Sequence, residues 1–376
     1  MDTPFVFGKI ASGKEFTDRK DETVRIVNNF TSGTNTILIS PRRWGKSSLV
    51  HHAAAECNHP KIKFIILDLF NARTEEQFYE LLARETLRVF SSQIEDIIKT
   101  TRNFLGRFLP KVTFSPSPDT EFELSMDWEE IKREPDDILQ LPEKLAEQKK
   151  CRVVVCIDEF QNIAFFEDHL NFQKKLRASW QLHKHTSYCL YGSKKNMMMN
   201  VFSNYSMPFY KFGDIIFLQK IPSQDWHSYI QNQFRKTKKK INANALKLIT
   251  DLADNHPHYV QQLAQLSWLR TTDKCDTVIV QKAFDGLVRQ LSMLFYDQVD
   301  NLSTTQINFL KAVSEKAEHL SARETLEKYR LGTSANIQRI KQALINKEII
   351  DVTPERIELL DPVFGYWLIN DYFRRR

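Results

Sequence analysis

Thr36-Ile37-Leu38-Ile39-Ser40-Pro41-Arg42-Arg43-Trp44-Gly45-Lys46-Ser47-Ser48 is the stretch that decides the fold. Its first four residues form a short apolar run, which predicts a buried strand. Leu49, Val50 and the alanines Ala53, Ala54 and Ala55 predict that a helix follows. Between them lies most of the phosphate-binding pattern GxxxxGK[ST], in the strand–loop–helix context it requires. Gly45, Lys46 and Ser47 are present, and Ser40 stands where the first glycine is expected. Each residue type has a reason. Backbone N–H groups at a helix N-terminus face anionic phosphates. Gly45 lets the backbone turn freely and approach closely. Lys46 places a cation by the β- and γ-phosphates, and Ser47 offers a hydroxyl to Mg²⁺. A left-handed backbone at position 40 would cost a serine energy that a glycine avoids. Candidate nucleotide-binding residues are therefore Ser40, Pro41, Arg42, Arg43, Trp44, Gly45, Lys46, Ser47 and Ser48.

Working outward, Phe64–Leu67, Val153–Ile157, Tyr188–Tyr191 and Ile215–Leu218 are further short apolar runs. Continuous runs of this kind suit strands buried on both faces. Amphipathic stretches such as Glu75–Ile98 and Pro142–Gln148 lie between them. The alternation predicts an α/β fold with a parallel sheet and helices on both faces. Residues 101–127 interrupt the rhythm and read as a hairpin insertion around a Pro/Ser turn.

The second chemical motif is Arg152-Val153-Val154-Val155-Cys156-Ile157-Asp158-Glu159. Its carboxylates close an apolar strand, at the end where open α/β sheets bind ligands. Asp158 is a candidate Mg²⁺ residue together with Ser47. Glu159 and Lys46 are the candidate catalytic residues, with Glu159 orienting or deprotonating the attacking water. The strand Ser187–Tyr191 leads to Gly192-Ser193-Lys194, and Ser193 is a candidate γ-phosphate contact.

Beyond residue 220 the strands give way to amphipathic helices over Ser223–Arg235, Ala243–Asp254, Pro257–Arg270 and Thr277–Tyr296. The run Arg235-Lys236-Thr237-Lys238-Lys239-Lys240 falls at a helix end, as a solvated basic turn or a phosphate-backbone contact. Three helices follow, over Ser303–Val313, Ser321–Tyr329 and Ser334–Asn346, then strands Ile349–Val352 and Ile357–Leu360. Helix, helix–turn–helix and hairpin is the winged-helix order. The expected domains are 1–220, 221–297 and 298–376.

The loop Pro-Arg-Arg-x-Gly-Lys-Ser, the strand end Ile-Asp-Glu-Phe-Gln and the later Tyr-Gly-Ser-Lys resemble the archaeal-type ATPases of archaea and bacteria, which are AAA+/STAND-like P-loop ATPases. Asn255-His256-Pro257-His258-Tyr259 and Asp361-Pro362-Val363-Phe364 extend the resemblance over nearly the whole chain. It implies a P-loop core sheet, a helical lid and a C-terminal winged helix. It also implies that Phe16 and Arg19, in Phe16-Thr17-Asp18-Arg19 with Glu22, lie near the nucleotide base. The chain departs from the family pattern at Ser40, at Asn255 where glycine is usual, and at Lys211 where an arginine often follows Pro-x-Tyr. Lysine cannot make arginine's planar bidentate contact. Arg177, Arg42 and Arg43 are other cationic candidates.

The expected function is ATP binding with Mg²⁺-dependent, slow hydrolysis that couples nucleotide state to conformation or self-assembly. Two alternatives keep ATP mainly as a structural ligand: a STAND-type switch acting on a protein partner, and a regulator that binds duplex DNA through residues 334–342. Against the DNA reading, residues 296–376 hold 12 basic and 12 acidic side chains, without the surplus usual in a DNA reader.

The whole chain of 376 residues carries 53 Lys+Arg and 47 Asp+Glu, for a net charge of +6, which is too mild to indicate a polyanion partner by itself. Its 42% hydrophobic content excludes a disordered or low-complexity chain. No apolar run is long enough for a transmembrane helix, and no membrane partner is expected. The N-terminus has no secretory pattern. Five scattered cysteines form no disulfide or zinc pattern. The expected location is the cytoplasm. His183-Lys184-His185 and His256-Pro257-His258 lack a third metal ligand, Met197-Met198-Met199 reads as helix packing, and Phe364–Leu368 reads as core.

Overall fold

A computed structural model describes residues 3–11, 13, 16–90, 111–113, 123–125, 135–353 and 356–374. The chain forms two compact units. One is Arg19–Gln219; the other joins Met1–Asp18 to Lys220–Arg376.

The first unit runs α1 (Lys20–Ser32), β1 (Thr36–Ile39), α2 (Lys46–Glu56), β2 (Ile62–Asp68), α3 (Glu75–Phe90), β3 (Lys111–Thr113), β4 (Glu123–Ser125), α4 (Asp136–Leu139) and α5 (Leu141–Gln148). It continues with β5 (Arg152–Asp158), a 3-10 turn over Phe160–Phe165, α6 (His169–Trp180), β6 (Thr186–Gly192), α7 (Lys195–Ser203) and β7 (Asp214–Phe217). Five parallel strands lie in the order β2-β5-β6-β1-β7. All five strands expected from the apolar runs are present.

Alternation along each strand explains why both sheet faces are apolar. Ile37, Ile65, Val155 and Leu190 face a core built with Phe78, Leu82, Leu145 and Phe172 of α3, α5 and α6. Leu38, Val154, Cys156 and Tyr191 are equally buried but belong to the opposite face. On that side Phe30 of α1 meets Phe64 of β2 edge-on at 5.2 Å. Central β6 has no exposed residue. Its position between β5 and β1 separates the Asp158 strand from the P-loop strand by one strand.

β3 and β4 pair antiparallel. The Pro/Ser turn expected between them, and helical residues expected at 91–98, lie outside the described residues. The 3-10 turn and α6 were not anticipated, whereas the helix packing expected of Met197–Met199 is met by α7, in which Met198 is buried.

The second unit contains α8 (Ser223–Lys236), β8 (Lys240–Ile241), α9 (Ala243–Leu252), α10 (Pro257–Arg270), β9 (Lys274–Cys275) and α11 (Thr277–Asp300). Then come α12 (Thr304–Ser314), α13 (Arg323–Lys328), α14 (Ser334–Asn346), β10 (Ile350–Val352), β11 (Ile357–Leu359) and α15 (Pro362–Trp367). The expectation that strands end near residue 220 needs correction, because β8 and β9 pair in parallel. Asn242, Asp276 and Ser303 cap α9, α11 and α12, and Ser303 forms a capping box with Gln306. The three helices and antiparallel hairpin of the winged-helix order are present. Asp361 caps α15 and also accepts the Tyr259 hydroxyl at 2.5 Å. One apolar core runs through this unit and includes Phe5, Trp226, Phe284, Leu344 and Trp367. Among the described residues, no helix is long and apolar enough to cross a membrane.

Candidate nucleotide-binding site

The phosphate-binding loop folds as the glycine position predicts, with one difference. Gly45 is left-handed at φ 87° and precedes α2, whose N-terminus has no side-chain cap. The second left-handed residue of the loop is Arg43, at φ 61°, not Ser40. Serine at position 40 therefore bears no left-handed backbone cost. Its side chain is buried, and its hydroxyl donates to the Pro41 carbonyl at 3.2 Å.

Lys46 is buried against the loop. Its Nζ donates to the carbonyls of Ser40 and Pro41 at 3.2 and 3.0 Å. Arg42 and Arg43 are exposed, while Pro41, Trp44, Gly45, Ser47 and Ser48 are half-buried. Arg19 braces the loop from outside. Its guanidinium donates to the Gln219 carbonyl at 2.7 Å, to Glu22 at 3.0 Å and to the Trp44 carbonyl at 3.5 Å. Phe16 is half-buried and belongs to the other unit.

The two motifs meet at the ends of α2 and β5. Ser47 Oγ donates to Asp158 Oδ2 at 2.5 Å, and the Glu159 N–H donates to Asp158 Oδ1 at 2.8 Å. Asp68, at the end of neighbouring β2, stands in register with Asp158. Burial pushes the Asp158 carboxyl up to about 6; the bonds from Ser47 and Glu159 N–H oppose the shift, while the Glu159 and Asp68 charges add to it. An oxygen-only site with excess negative charge suits a hard divalent cation. Ser47 and Asp158 thus fit Mg²⁺. Asp68 is a neighbour that the sequence reading missed, because an acid at a strand end has no motif of its own.

Glu159 is a non-glycine residue in the left-handed region, at φ 51°. Such strain persists where surrounding structure over-determines it. Here two side chains converge on Glu159 Oε2. The Ser193 hydroxyl donates at 2.9 Å, and the Gln161 amide makes a short bond. Gln161 is buried, and its Oε1 lies where a Cβ on Gly192 would come within 1.8 Å. Gly192 is therefore the residue that makes room for Gln161. Sequence reasoning used Gln161 only for its resemblance and gave Gly192 no role; close approach across β6 is a tertiary fact.

The structure thus brings together Ser47, Asp158, Glu159 and Ser193, and places Lys46 on the loop they adjoin. Arg177 and Lys211 are engaged locally. Arg177 stacks over Phe212 at 4.9 Å, and Lys211 lies over Tyr210 at 5.3 Å. Asn255 is left-handed at φ 54°, which explains why it can replace a glycine.

Comparison with solved structures bears on the fold. A Walker-type ATPase of Pyrococcus abyssi matches 98% of this chain and 100% of its own, with a TM-score of 0.66 and 17% identity. The fold is the P-loop AAA+ fold. The ORC2 protein of Aeropyrum pernix, in its ADPNP–ADP complexes, is similar to the AAA+ fold seen here over 98% of this chain and 99% of its own, with a TM-score of 0.57 and 14% identity. The ORC1 protein of Aeropyrum pernix, solved with DNA, matches 100% of both chains with a TM-score of 0.50 and 11% identity. A family model described as "Probable winged helix domain" matches residues 293–370, so the AAA+ fold is followed by a winged helix. No curated protein sequence matches the chain.

Proposed function

We propose that this chain binds Mg-ATP at the P-loop and hydrolyses it slowly. The observation that carries the reading is the linked set Ser47–Asp158–Glu159–Ser193, which joins the P-loop helix to the ends of two adjacent strands. Lys46 exchanges loop carbonyls for phosphate oxygens and supplies positive charge there. Ser47 and Asp158 would hold Mg²⁺, which when bound offsets phosphate charge. Glu159 positions the attacking water and accepts its proton. Ser193 and Gln161 hold one carboxylate oxygen, leaving the other for water. Arg19 supports the loop on the side we assign to the base. Nucleotide titration by calorimetry tests the binding half: the unsubstituted protein binds ATP, and Lys46→Ala weakens binding at least tenfold. Equal affinity in both would remove the role given to Lys46.

The coupling of nucleotide state to conformation, self-assembly or a protein partner, as in a STAND-type switch, belongs to the same proposal. Five free cysteines, four of them buried, support a reducing cytoplasm. A second reading is duplex DNA binding through α14. Gln338, Arg339 and Gln342 lie on its exposed side while Ile337 and Ile340 are buried, as a helix presented to a groove requires. Arg339→Ala should weaken duplex binding if α14 makes that contact.

A further inference from the structure

The basic run after α8 is not used by the nucleotide site. Five of the six residues Arg235–Lys240 are cationic. The structure adds a sixth cation from a distant part of the chain, because Lys240 of β8 stands directly beside Lys274 of β9. Arg235, Lys236, Lys238, Lys240 and Lys274 are all exposed. Among the described residues, none of these five has an ion pair with a carboxylate. Lys236 instead donates to the neutral Gln233 at 3.0 Å. Two acids flank Lys274: Asp276 caps α11 through Ile279 N–H, and Asp273, whose backbone carbonyl holds Lys240 N–H, makes no ion pair with these cations among the described residues.

The platform under these cations is built. Trp268 Nε1 donates to Thr237 Oγ1 at 2.8 Å. Lys239 turns inward, with Nζ on the Trp268 carbonyl at 2.8 Å and over the indole ring at 4.1 Å. The turn is thereby pinned to α10, and Lys238 takes a left-handed backbone, φ 61°. Like charges directly opposite one another on paired strands destabilise the pairing. An anion placed between Lys240 and Lys274 would offset their like charges.

We propose that Arg235, Lys236, Lys238, Lys240 and Lys274 form a binding site for the phosphodiester backbone of duplex nucleic acid. The same unit carries the winged helix, whose basic and acidic residues balance. Such a module has polar groups to meet a groove but lacks the cations that provide sequence-independent affinity. The basic turn supplies those cations. The proposal stands apart from the nucleotide site and survives its failure.

Fluorescence anisotropy with a labelled duplex of mixed sequence tests it on the full chain. Five phosphate contacts at about 0.9 each give a log–log salt slope near −4.5, or roughly 500-fold loss of affinity between about 50 and 200 mM salt. The triple variant Lys238→Gln/Lys240→Gln/Lys274→Gln should bind more weakly at low salt, with a slope shallower by roughly 2.7. The matched lysine-to-arginine triple variant should retain binding, since it keeps the charge. Mg-ATP turnover should be unchanged in both, and the glutamine variant should melt no lower than the unsubstituted protein. An unchanged slope in the glutamine variant, or no duplex binding at low salt, overturns the proposal. So does binding to anionic vesicles or a polyglutamate peptide without binding to duplex.

Discussion

The ends of β5 and β6 and the turn after α8 both concentrate charge, but they treat it differently. Asp158 and Glu159 are held by Ser47, a backbone N–H, Ser193 and Gln161. At the turn, Lys238, Lys240 and Lys274 face solvent with no ion pair among the described residues. The first region uses hydrogen bonds to fix geometry, as positioning chemistry requires. The second uses a pinned backbone to hold charges in place and leaves their heads available. Packed geometry should fail through small displacements, whereas unpaired charge should fail only through loss of charge.

One large effect should break the first region without touching an ionisable group. In Gly192→Ala, the new Cβ meets Gln161 Oε1 at 1.8 Å, so the amide that holds Glu159 has to shift. Turnover should fall about 100-fold, the usual result of an ångström-scale misplacement, while ATP affinity changes little. Turnover near the unsubstituted level would mean that Gln161 does not position Glu159.

Next comes Asp158. Its folded pKa of about 6 lies above the ordinary 3.8. The folded form then binds more protons, so this contribution to stability is full below 3.8 and is lost as pH rises through about 6. Asp158→Asn should remove that pH dependence and stabilise the nucleotide-free protein at pH 7 by about 1–3 kcal/mol, as read by denaturant melts. Mg²⁺-dependent turnover should disappear in the same variant. A variant less stable at pH 7 would contradict the burial argument.

A smaller effect is expected at Gly45. Its left-handed φ of 87° should make Gly45→Ala cost about 1–2 kcal/mol. Smallest of all is Ser40→Gly, which restores the usual motif. Since position 40 is not left-handed, ATP affinity should change less than about threefold. A large gain would show that the loop pays for its serine.

These contrasts also explain what was legible in the sequence. The five sheet strands, Pro257–Arg270 and Ser334–Asn346 could be read because their apolar spacing matches their burial. Ser47, Asp158, Glu159 and Ser193 could be named because motif and strand end coincide. The 3-10 turn after Glu159 left no periodic signal, being a single short stretch packed from several sides. Gln161, Gly192 and Asp68 were hidden because their relations cross strands. The pairing of Lys240 with Lys274 was hidden for the same reason: two residues are too few to announce a strand.

The most direct measurement is steady-state Mg-ATP turnover of the unsubstituted protein beside Glu159→Gln. The account predicts slow but measurable hydrolysis that falls by at least about 100-fold in the variant, with ATP still bound. Equal turnover in the two proteins, or none in the unsubstituted chain, would contradict the assignment of Glu159 as the residue that prepares water for attack.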